Sequence, residues 1–445
     1  MEKYRVKSLE HITTELIVSL YERYTENEIP RLNRLNEYYL GNADIKKRTM
    51  NDPNKPNNKI ASPYASMITD TVTGYGMGKP IAYSAEDKEL MLAVQAVFDK
   101  NHEQSHNKKL WKQLTITGLS YELLFLDEDG NICFAPIDPR NCFFIYDNSV
   151  KENVLMAVIP SVEQDYINEE EKIIFTCYTS ELISTYEMND TSLTLVDEEL
   201  HSFGAVPVIQ YKNNDEYTGA FEKVIDLIDA YDTAVSDTIN NLEYFSDSYL
   251  VLENAEFEDD SEVATMKENR VLILPESSKA YWLTKEGSEE SEQTKNRLKE
   301  DIHVLSQIPN LGDESFGNTT SGESLKYKLF GLENLVSITE GNFKESIETR
   351  IKLITNILNI KRTDSYDYTY ITLSFTRNIP TNMANVADVV SKLVGIISNE
   401  TLYTLMPFVD DPALELEKVA RESESSNYDE FHSQMNTDTT EPIIE

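Results

Sequence analysis

The feature that most constrains this chain is a long run of apolar residues at helical spacing near its C-terminal third. Leu325, Leu329, Leu332, Val336, Phe343, Ile347, Ile351, Ile354 and Leu358 recur three, four or seven positions apart. That period predicts one continuous helix over about residues 322–360, on the order of 55 Å long at 1.5 Å per residue. Glu340–Lys344 and Glu348–Lys352 stand four apart on its wet side and support it. A helix of that length exceeds an ordinary domain helix and implies a scaffold or the spoke of a ring.

The remaining elements follow from periodicity and punctuation. Residues 8–40 read as two helices, the first carrying Leu9, Ile12, Leu16 and Leu20, the second stopping at Gly41. Ser62 followed by Pro63 opens a further helix that ends at "GYGMGKP". Helices are expected again at about 86–100 and 103–118. From 120 to 212 the period changes to two, with a hairpin turning at Asp129-Gly130 and strands at "CFFIYD", "VLMAVIP", "KIIFTCY", "LISTYEM" and "FGAVPVIQY". Residues 217–247 return to helix, with Phe221, Val224, Ile228, Tyr231, Val235, Ile239 and Leu242 as the expected buried stripe. A short α/β island follows, then an acidic helix at about 288–307 and a Gly/Asn/Thr loop at 308–321. Beyond the long helix come one strand, "YTYITLSFTRNIP", three short helices and a polar acidic tail. The expected class is α+β, mainly helical.

Composition excludes several roles. The 445 residues are 40% hydrophobic and 10% aromatic, enough to fill real cores. A net charge of −38 and a pI near 4.5 argue against tight nucleic-acid binding over the whole surface. Cys133, Cys142 and Cys177 lie in apolar strand-like runs without C-x-x-C spacing, as buried thiols of a reducing compartment would. The first residues read as a charged helix rather than a signal peptide, and no apolar run is long enough for a membrane span.

Three motifs suggest chemistry and do not sustain it. "GNTTSGES", Gly317–Ser324, fits the phosphate-loop pattern except that Glu323 stands where Lys should bind phosphate. No strand precedes it; a loop leading to a helix capped by Thr320 or Ser321 fits better. "HEQSH", His102–His106, matches the zinc-hydrolase pattern, but a third ligand is missing at the usual spacing, and Glu122 and Glu128 fall in a hairpin. Two surface histidines are the expected reading. "GYGMGK" follows a helix, not a strand, so a dinucleotide turn is not expected. No catalytic residue, cofactor or metal site can be nominated.

The order of blocks, and their wording, is informative. The stretches "NEYYLGNADIKKR", "NNKIASPYASMITDTVTGYGMGKPI", "IDPRNCFFIYD", "FGAVPVIQYKNN", "IPNLGDESFGNTTSGESLKYKLFGLENL" and "ISNETLYTLMPFVDDPALELEKVARE" occur in that order. Over about residues 25–420 the chain resembles the portal proteins of tailed bacteriophages, in the branch common in phages and prophages of Gram-positive bacteria. The resemblance implies a portal fold assembled as a twelve-fold ring around a central channel at one capsid vertex. Through it double-stranded DNA would be packaged and ejected. It implies a wing at 1–216, stem helices at 217–247 and 288–307, and a clip at 248–287. A tunnel loop at 308–321, a long wing helix and strand at 322–380, and a crown with the acidic tail at 381–445 complete the scheme.

Implied partners are further copies of the chain, the terminase large subunit, head-completion or adaptor proteins, major capsid and scaffolding proteins, and the passing DNA. The implied location is the virion, with assembly in the host cytoplasm; no membrane is involved. The loop residues expected to face the channel are Asn310, Gly312, Asp313, Glu314, Gly317, Asn318, Thr319 and Thr320. The acidic clip surface expected to meet partners comprises Glu256, Glu258, Asp259, Asp260 and Glu262. The bottom-up case for the loop is that its glycines make it pliant, while Asn and Thr can touch phosphates without adding charge. An acidic wall would repel the duplex, whereas many basic contacts would hold it. The alternatives are a zinc-dependent hydrolase using His102, Glu103 and His106, or another capsid-associated structural protein.

Overall fold

The computed structural model describes residues 2–52, 55–165, 170–189, 192–246, 250–253, 279–282, 288–310, 312, 322–362, 365–378, 383–406, 409, 412 and 415–422. The chain forms two compact units. The larger contains residues 1–74 and 92–368; the smaller contains 75–91 and 369–445. Among the described residues, no helix is long and apolar enough to cross a membrane.

The larger unit is built on two sheets. Strands β1 (Tyr4–Val6), β5 (Phe143–Asp147), β6 (Val154–Asp165), β7 (Glu170–Tyr178), β8 (Leu182–Asn189) and β9 (Ser192–Leu200) form one sheet in that order. It is an antiparallel meander except for β1, which joins β5 in parallel, Tyr4 beside Ile145. The second sheet has order β10-β3-β4, with β3 at Leu119–Leu126, β4 at Ile132–Ile137 and β10 at Val208–Lys212. Its hairpin turns where expected, and Gly130 supplies the left-handed residue, φ 76°.

Strand β9 was not foreseen. "SLTLVDEEL" carries a single buried position, Leu193, and so lacks the alternation of a half-buried strand. Pairing with β8, and not its own pattern, makes it extended.

Helices α1 (Thr14–Asn27) and α2 (Ile29–Tyr39) cover the first sheet. The helix starts later than the Leu9–Leu20 spacing predicts. Thr13 accepts a hydrogen bond from Leu16 N–H and caps α1, leaving Leu9 in a short 3-10 turn and exposed. Ile17, Val18, Tyr24 and Leu32 pack with Phe143, Ile145, Val158 and Phe175 in one core that also takes Leu119 and Tyr121 of β3. Tyr24 is buried in it and donates to the carbonyl of Pro139 at 2.5 Å. Cys142 and Cys177 lie in this core, and burial pushes the Cys177 thiol up to about 12. Cys133 is only half-buried.

Helix α5 (Glu103–Thr117) lies against β3. It ends at Gly118, φ 86°, whose N–H closes the last turn on Leu114. Helices α3 (Tyr64–Gly76) and α4 (Lys88–Lys100) lie where the sequence placed them. Helix α6 spans Ile225–Ser246, α7 Ser288–Ser306 and α8 Gly322–Arg362. The 41 residues of α8 are one unbroken helix, and Leu332, Val336, Phe343, Ile347, Ile351 and Ile354 are buried along it as predicted. Between α6 and α7 the structure describes one antiparallel strand pair, β11 (Leu250–Glu253) with β12 (Lys279–Trp282).

In the smaller unit, β2 (Ala82–Ala85) pairs antiparallel with β13 (Ile371–Ser374), burying Ile371 and Leu373. The predicted strand 368–380 is thus shorter, preceded by a 3-10 turn at Tyr368–Tyr370. Helices Met383–Leu393 and Asn399–Thr404 follow, the second capped by Ser398.

A Cβ added at Gly118 would overlap the backbone carbonyl of Tyr217, at a φ that side chains disfavour. Gly118→Ala is therefore expected to cost about 3 kcal/mol of stability. Thermal or denaturant unfolding of the purified variant checks this; an unchanged transition would show that the two segments are not in close contact.

Candidate functional site

The "HEQSH" residues divide between surface and interior: His102, Gln104 and Ser105 are exposed. His102 precedes α5 with a left-handed backbone, φ 50°, so it does not share the helical face of His106. Glu103 and His106 are buried. The expectation of two surface histidines holds for His102 and fails for His106, because α5 packs that face onto the sheet, where β3 presents a buried carboxylate. His106 Nε2 lies 2.6 Å from Glu122 Oε1 and its ring meets Phe134 edge-on.

The partner of Glu122 is Arg350, in the middle of α8. Arg350 Nη2 is 2.8 Å from Glu122 Oε1, and Arg350 Nε donates to Glu122 Oε2 at 2.9 Å. Tyr211 OH donates to Glu122 Oε2 at 2.7 Å and accepts from Arg350 Nη2 at 2.9 Å. Arg350 Nη1 donates to Asn107 Oδ1 at 2.8 Å, and Asn107 donates to Glu103. The guanidinium also stacks over Phe134, 4.8 Å from the ring centre. A guanidinium held against the two carboxylates opposes a cation there, and among the described residues no metal-holding group of three or more His, Cys, Asp or Glu occurs. The cluster is structural: five elements meet on one ion pair.

Sequence reasoning passed over Arg350 and weighed Glu122 only as a zinc ligand, setting it aside as a hairpin residue. One signal was available: Arg350 lies three residues after Ile347 and four before Ile354, on the apolar stripe.

The second assembly is the pair α6 and α7, which pack together, with Thr238 and Ser291 hydroxyls 3.2 Å apart. The predicted buried stripe of α6 holds only at its start. Phe221, Val224 and Ile228 are buried, whereas Ile239 and Leu242 are exposed. The face buried farther along is polar: Asp232, Ser236 and Asn240.

The reason is an extended segment lying antiparallel to α6. The N–H groups of Asn58, Ile60 and Ser62 donate to Asn240 Oδ1 at 2.7 Å, Ser236 Oγ at 3.0 Å and Asp232 Oδ1 at 2.8 Å. Alternate residues of an extended chain advance about 6.7 Å, close to the roughly 6 Å of four helical residues, so the two repeats match. Arg31, Arg34 and Arg48 continue the line, pairing with Glu222, Asp229 and Asp237 at 2.6, 3.2 and 2.8 Å.

Helix α7 ends at the root of the Gly/Asn/Thr loop. Gln307 has a left-handed backbone, φ 59°, and Ile308 N–H returns to the carbonyl of His303 at 3.1 Å. Ile308 is buried, and its carbonyl lies 3.2 Å from His303 Nδ1. Burial lowers the His303 pKa. Gly331 of α8 packs closely there: a Cβ would sit 3.1 Å from that of Gln307. A cavity of about 380 Å³ lies beside the root, lined by Tyr64, Met67, Lys299, His303 and Ile308. Of the expected channel residues, Asn310 is half-buried at this root and Gly312 is exposed. Asp313, Glu314, Gly317, Asn318, Thr319 and Thr320 lie outside the described residues, as do Glu256, Glu258, Asp259, Asp260 and Glu262.

A mixed α/β chain with a strut-like helix and a polar-clamped helix pair has the makings of a structural protein. Comparison with known proteins names the class. The family described as phage portal protein, SPP1 Gp6-like, matches residues 20–428, and the chain belongs to it. The portal protein of Bacillus phage SPP1 is 24% identical over 448 residues, covering 96% of this chain and 86% of that protein. The portal protein of Clostridium phage phiCD119 is 25% identical over 432 residues, covering 88% of this chain and 94% of that one. A chain in a solved structure of the neck of an empty GTA particle aligns over 78% of this chain and 91% of its own length. Its identity is 11% and its TM-score 0.47, too distant to bear on function. The family is structural and not enzymatic.

Two outcomes test the site. Arg350 and the His106 hydrogen bond hold the Glu122 carboxyl down at about 2, against the cost of its burial. A depressed carboxyl stabilises the fold above its unfolded pKa of about 4.3, and that contribution fades as pH falls towards 2. Arg350→Met is expected to cost about 3–5 kcal/mol at pH 7 by stranding the carboxylate. Glu122→Gln should flatten the pH dependence of unfolding between about 4.3 and 2. Equal pH slopes in wild type and Glu122→Gln would contradict the assignment.

Asp232 behaves oppositely. Burial raises its pKa, and Oδ2 has no hydrogen-bond partner. Its ionised form therefore weakens folding at neutral pH, a penalty absent below the unfolded pKa of about 3.9. Asp232→Asn keeps an acceptor for Ser62 N–H and should raise the melting temperature at pH 7 by roughly 2–4 °C, with the gain shrinking towards pH 3. A loss at pH 7 would show that the charge is compensated.

Proposed function

We propose that copies of this chain close into a ring, twelve-fold in the particle, forming the portal at one capsid vertex through which double-stranded DNA is packaged and ejected. The observation that carries this reading is the clamped α6/α7 pair together with the 41-residue α8, in a chain of the portal family. These helices leave Leu242, Val304, Leu305, Tyr327 and Phe330 exposed, more apolar surface than one copy covers.

In this reading residues 1–216 and 322–380 form the wing, 217–247 and 288–307 the stem, 248–287 the clip and 381–445 the crown. The clip, with Glu256, Glu258, Asp259, Asp260 and Glu262, would meet the terminase large subunit during packaging and head-completion proteins afterwards. Capsid and scaffolding proteins would surround the ring. The chain would reach the virion after assembly in the host cytoplasm.

Loop residues 308–321 would line the narrowest part of the channel. The rooted turn at Gln307–Ile308 supports this reading, because it gives a polar, glycine-bearing segment a fixed point of departure. Asp313 and Glu314 would keep contacts with phosphate brief, and the net charge of −38 suits a wall that repels the duplex.

Negative-stain images of the purified protein are expected to show rings with a central channel; monomers at every salt and protein concentration would count against the proposal. Replacing Asp313 and Glu314 by Lys in every copy should slow packaging most at low salt, with recovery as salt rises. Normal packaging at low salt by that variant would remove the loop from the channel.

A further inference from the structure

The turn that ends α7 is built around one histidine. His303 is 8% exposed. Its backbone carbonyl accepts from Ile308 N–H at 3.1 Å, and its ring returns the contact, Nδ1 standing 3.2 Å from the Ile308 carbonyl. A carbonyl only accepts, so Nδ1 carries the proton in this contact. Ser306 Oγ donates to the His303 carbonyl at 3.3 Å. Between these contacts Gln307 is kept at φ 59°, a left-handed backbone uncommon outside glycine. The turn is held against its own backbone preference, and both the carbonyl and the ring of His303 hold it.

The surroundings of the ring suit a neutral imidazole. Among the described residues no carboxylate pairs with it; Glu300, three positions earlier on α7, is exposed. Lys299, one turn earlier, opposes a second positive charge. From α3, Tyr64 meets the ring edge-on with 6.1 Å between centres. Behind Tyr64 stand Tyr231 and Asp232 of α6, and Asp232 is engaged by Ser62 N–H. Helix α8 meets the turn at Gly331, which bears no charge. The ring borders the cavity of about 380 Å³, whose walls also include Met67, Ile308 and Pro309. Among the described residues Nε2 has no hydrogen-bond partner. A protonated ring would add an N–H there with no acceptor, in a buried place and beside a lysine. Burial accordingly lowers the His303 pKa.

We propose that the turn at 303–308 is a proton-sensitive latch, closed while His303 is neutral and opened when the ring takes a proton from solvent and turns out to be hydrated. Opening breaks the contact of Nδ1 with the Ile308 carbonyl and frees Gln307 from its left-handed backbone. This goes beyond the ring reading and does not depend on it. The sign follows from linkage. In the open turn the ring titrates near the ordinary value of about 6.5, and in the closed turn below it. Closure is therefore fully favoured above about pH 6.5 and weakens as pH falls from there towards the closed-turn pKa. Within that window the closed-to-open ratio drops by up to about tenfold per pH unit.

Amide hydrogen exchange of the full chain, corrected for the intrinsic pH dependence of exchange, reads the opening in the peptide that contains Ile308. Protection there should be constant between about pH 8 and 6.5 and fall by roughly threefold to tenfold towards pH 5, while peptides around Arg350 keep theirs. His303→Asn puts an amide N–H where Nδ1–H stands and cannot titrate, so its protection should be flat over the same range. Lys299→Gln, at an exposed position, removes the neighbouring cation. It brings the closed-turn pKa nearer the open one and should shrink the fall.

Flat protection in the wild type between pH 8 and 5 would overturn the latch. So would a fall in His303→Asn equal to that of the wild type, because another group would then be the sensor. Should His303→Asn be unprotected at every pH, Lys299→Gln decides: a smaller fall than in the wild type supports the latch, and an equal fall removes it. The ring reading stands or falls on its images and not on these outcomes.

Discussion

The fold of the larger unit hangs on one buried ion pair. Arg350 and Glu122 are fully buried, 228 residues apart in sequence, and each carries further hydrogen bonds, to Asn107, Tyr211 and His106. In a low-dielectric interior such a pair is tolerable only when every donor and acceptor is matched, and a matched network admits few alternative arrangements. Along α8 the same logic repeats at lower stakes. Thr339 bonds Asn213 at 2.7 Å, Ser346 the carbonyl of Gln210 at 2.9 Å, and Asn356 that of Phe203 at 2.8 Å. An apolar stripe alone would let a long helix slide by a turn; polar contacts spaced along it set its longitudinal position.

Helix α6 is positioned by a different device. Its buried polar face binds an extended segment through backbone N–H groups, and Arg34 and Arg48 bind its Asp229 and Asp237. Because the polar face does the anchoring, the apolar end of the helix is left over. An amphipathic helix normally spends its apolar side on its own core. Here the inversion frees that side for contact with something outside the copy, which is what a subunit of a larger assembly needs.

The acidic balance suits this role. Family membership makes the chain a structural phage protein. The zinc-hydrolase-like motif, His102 to His106, is divided by the start of α5, and His106 is bound into the Arg350 cluster. Residues that look like chemistry in one dimension serve packing in three.

The sequence by itself determined the long helix, the positions of most other helices, the Asp129-Gly130 hairpin and the strands of the meander with their own alternation. Those features rest on local period and turn chemistry, which neighbouring residues decide. It also carried enough order of motifs to suggest the portal family. Only the tertiary structure decided that β9 is a strand, that Leu9 lies outside α1, and that α6 buries Asp232, Ser236 and Asn240 while exposing Leu242. Only it joined Glu122 to Arg350 and buried His106. Each of these depends on a partner distant in sequence: β8 for β9, residues 58–62 for α6, and α8 for the carboxylate of β3. Burial of a polar group is favourable only where another element supplies the matching donor or acceptor, and no local pattern records where that element will be.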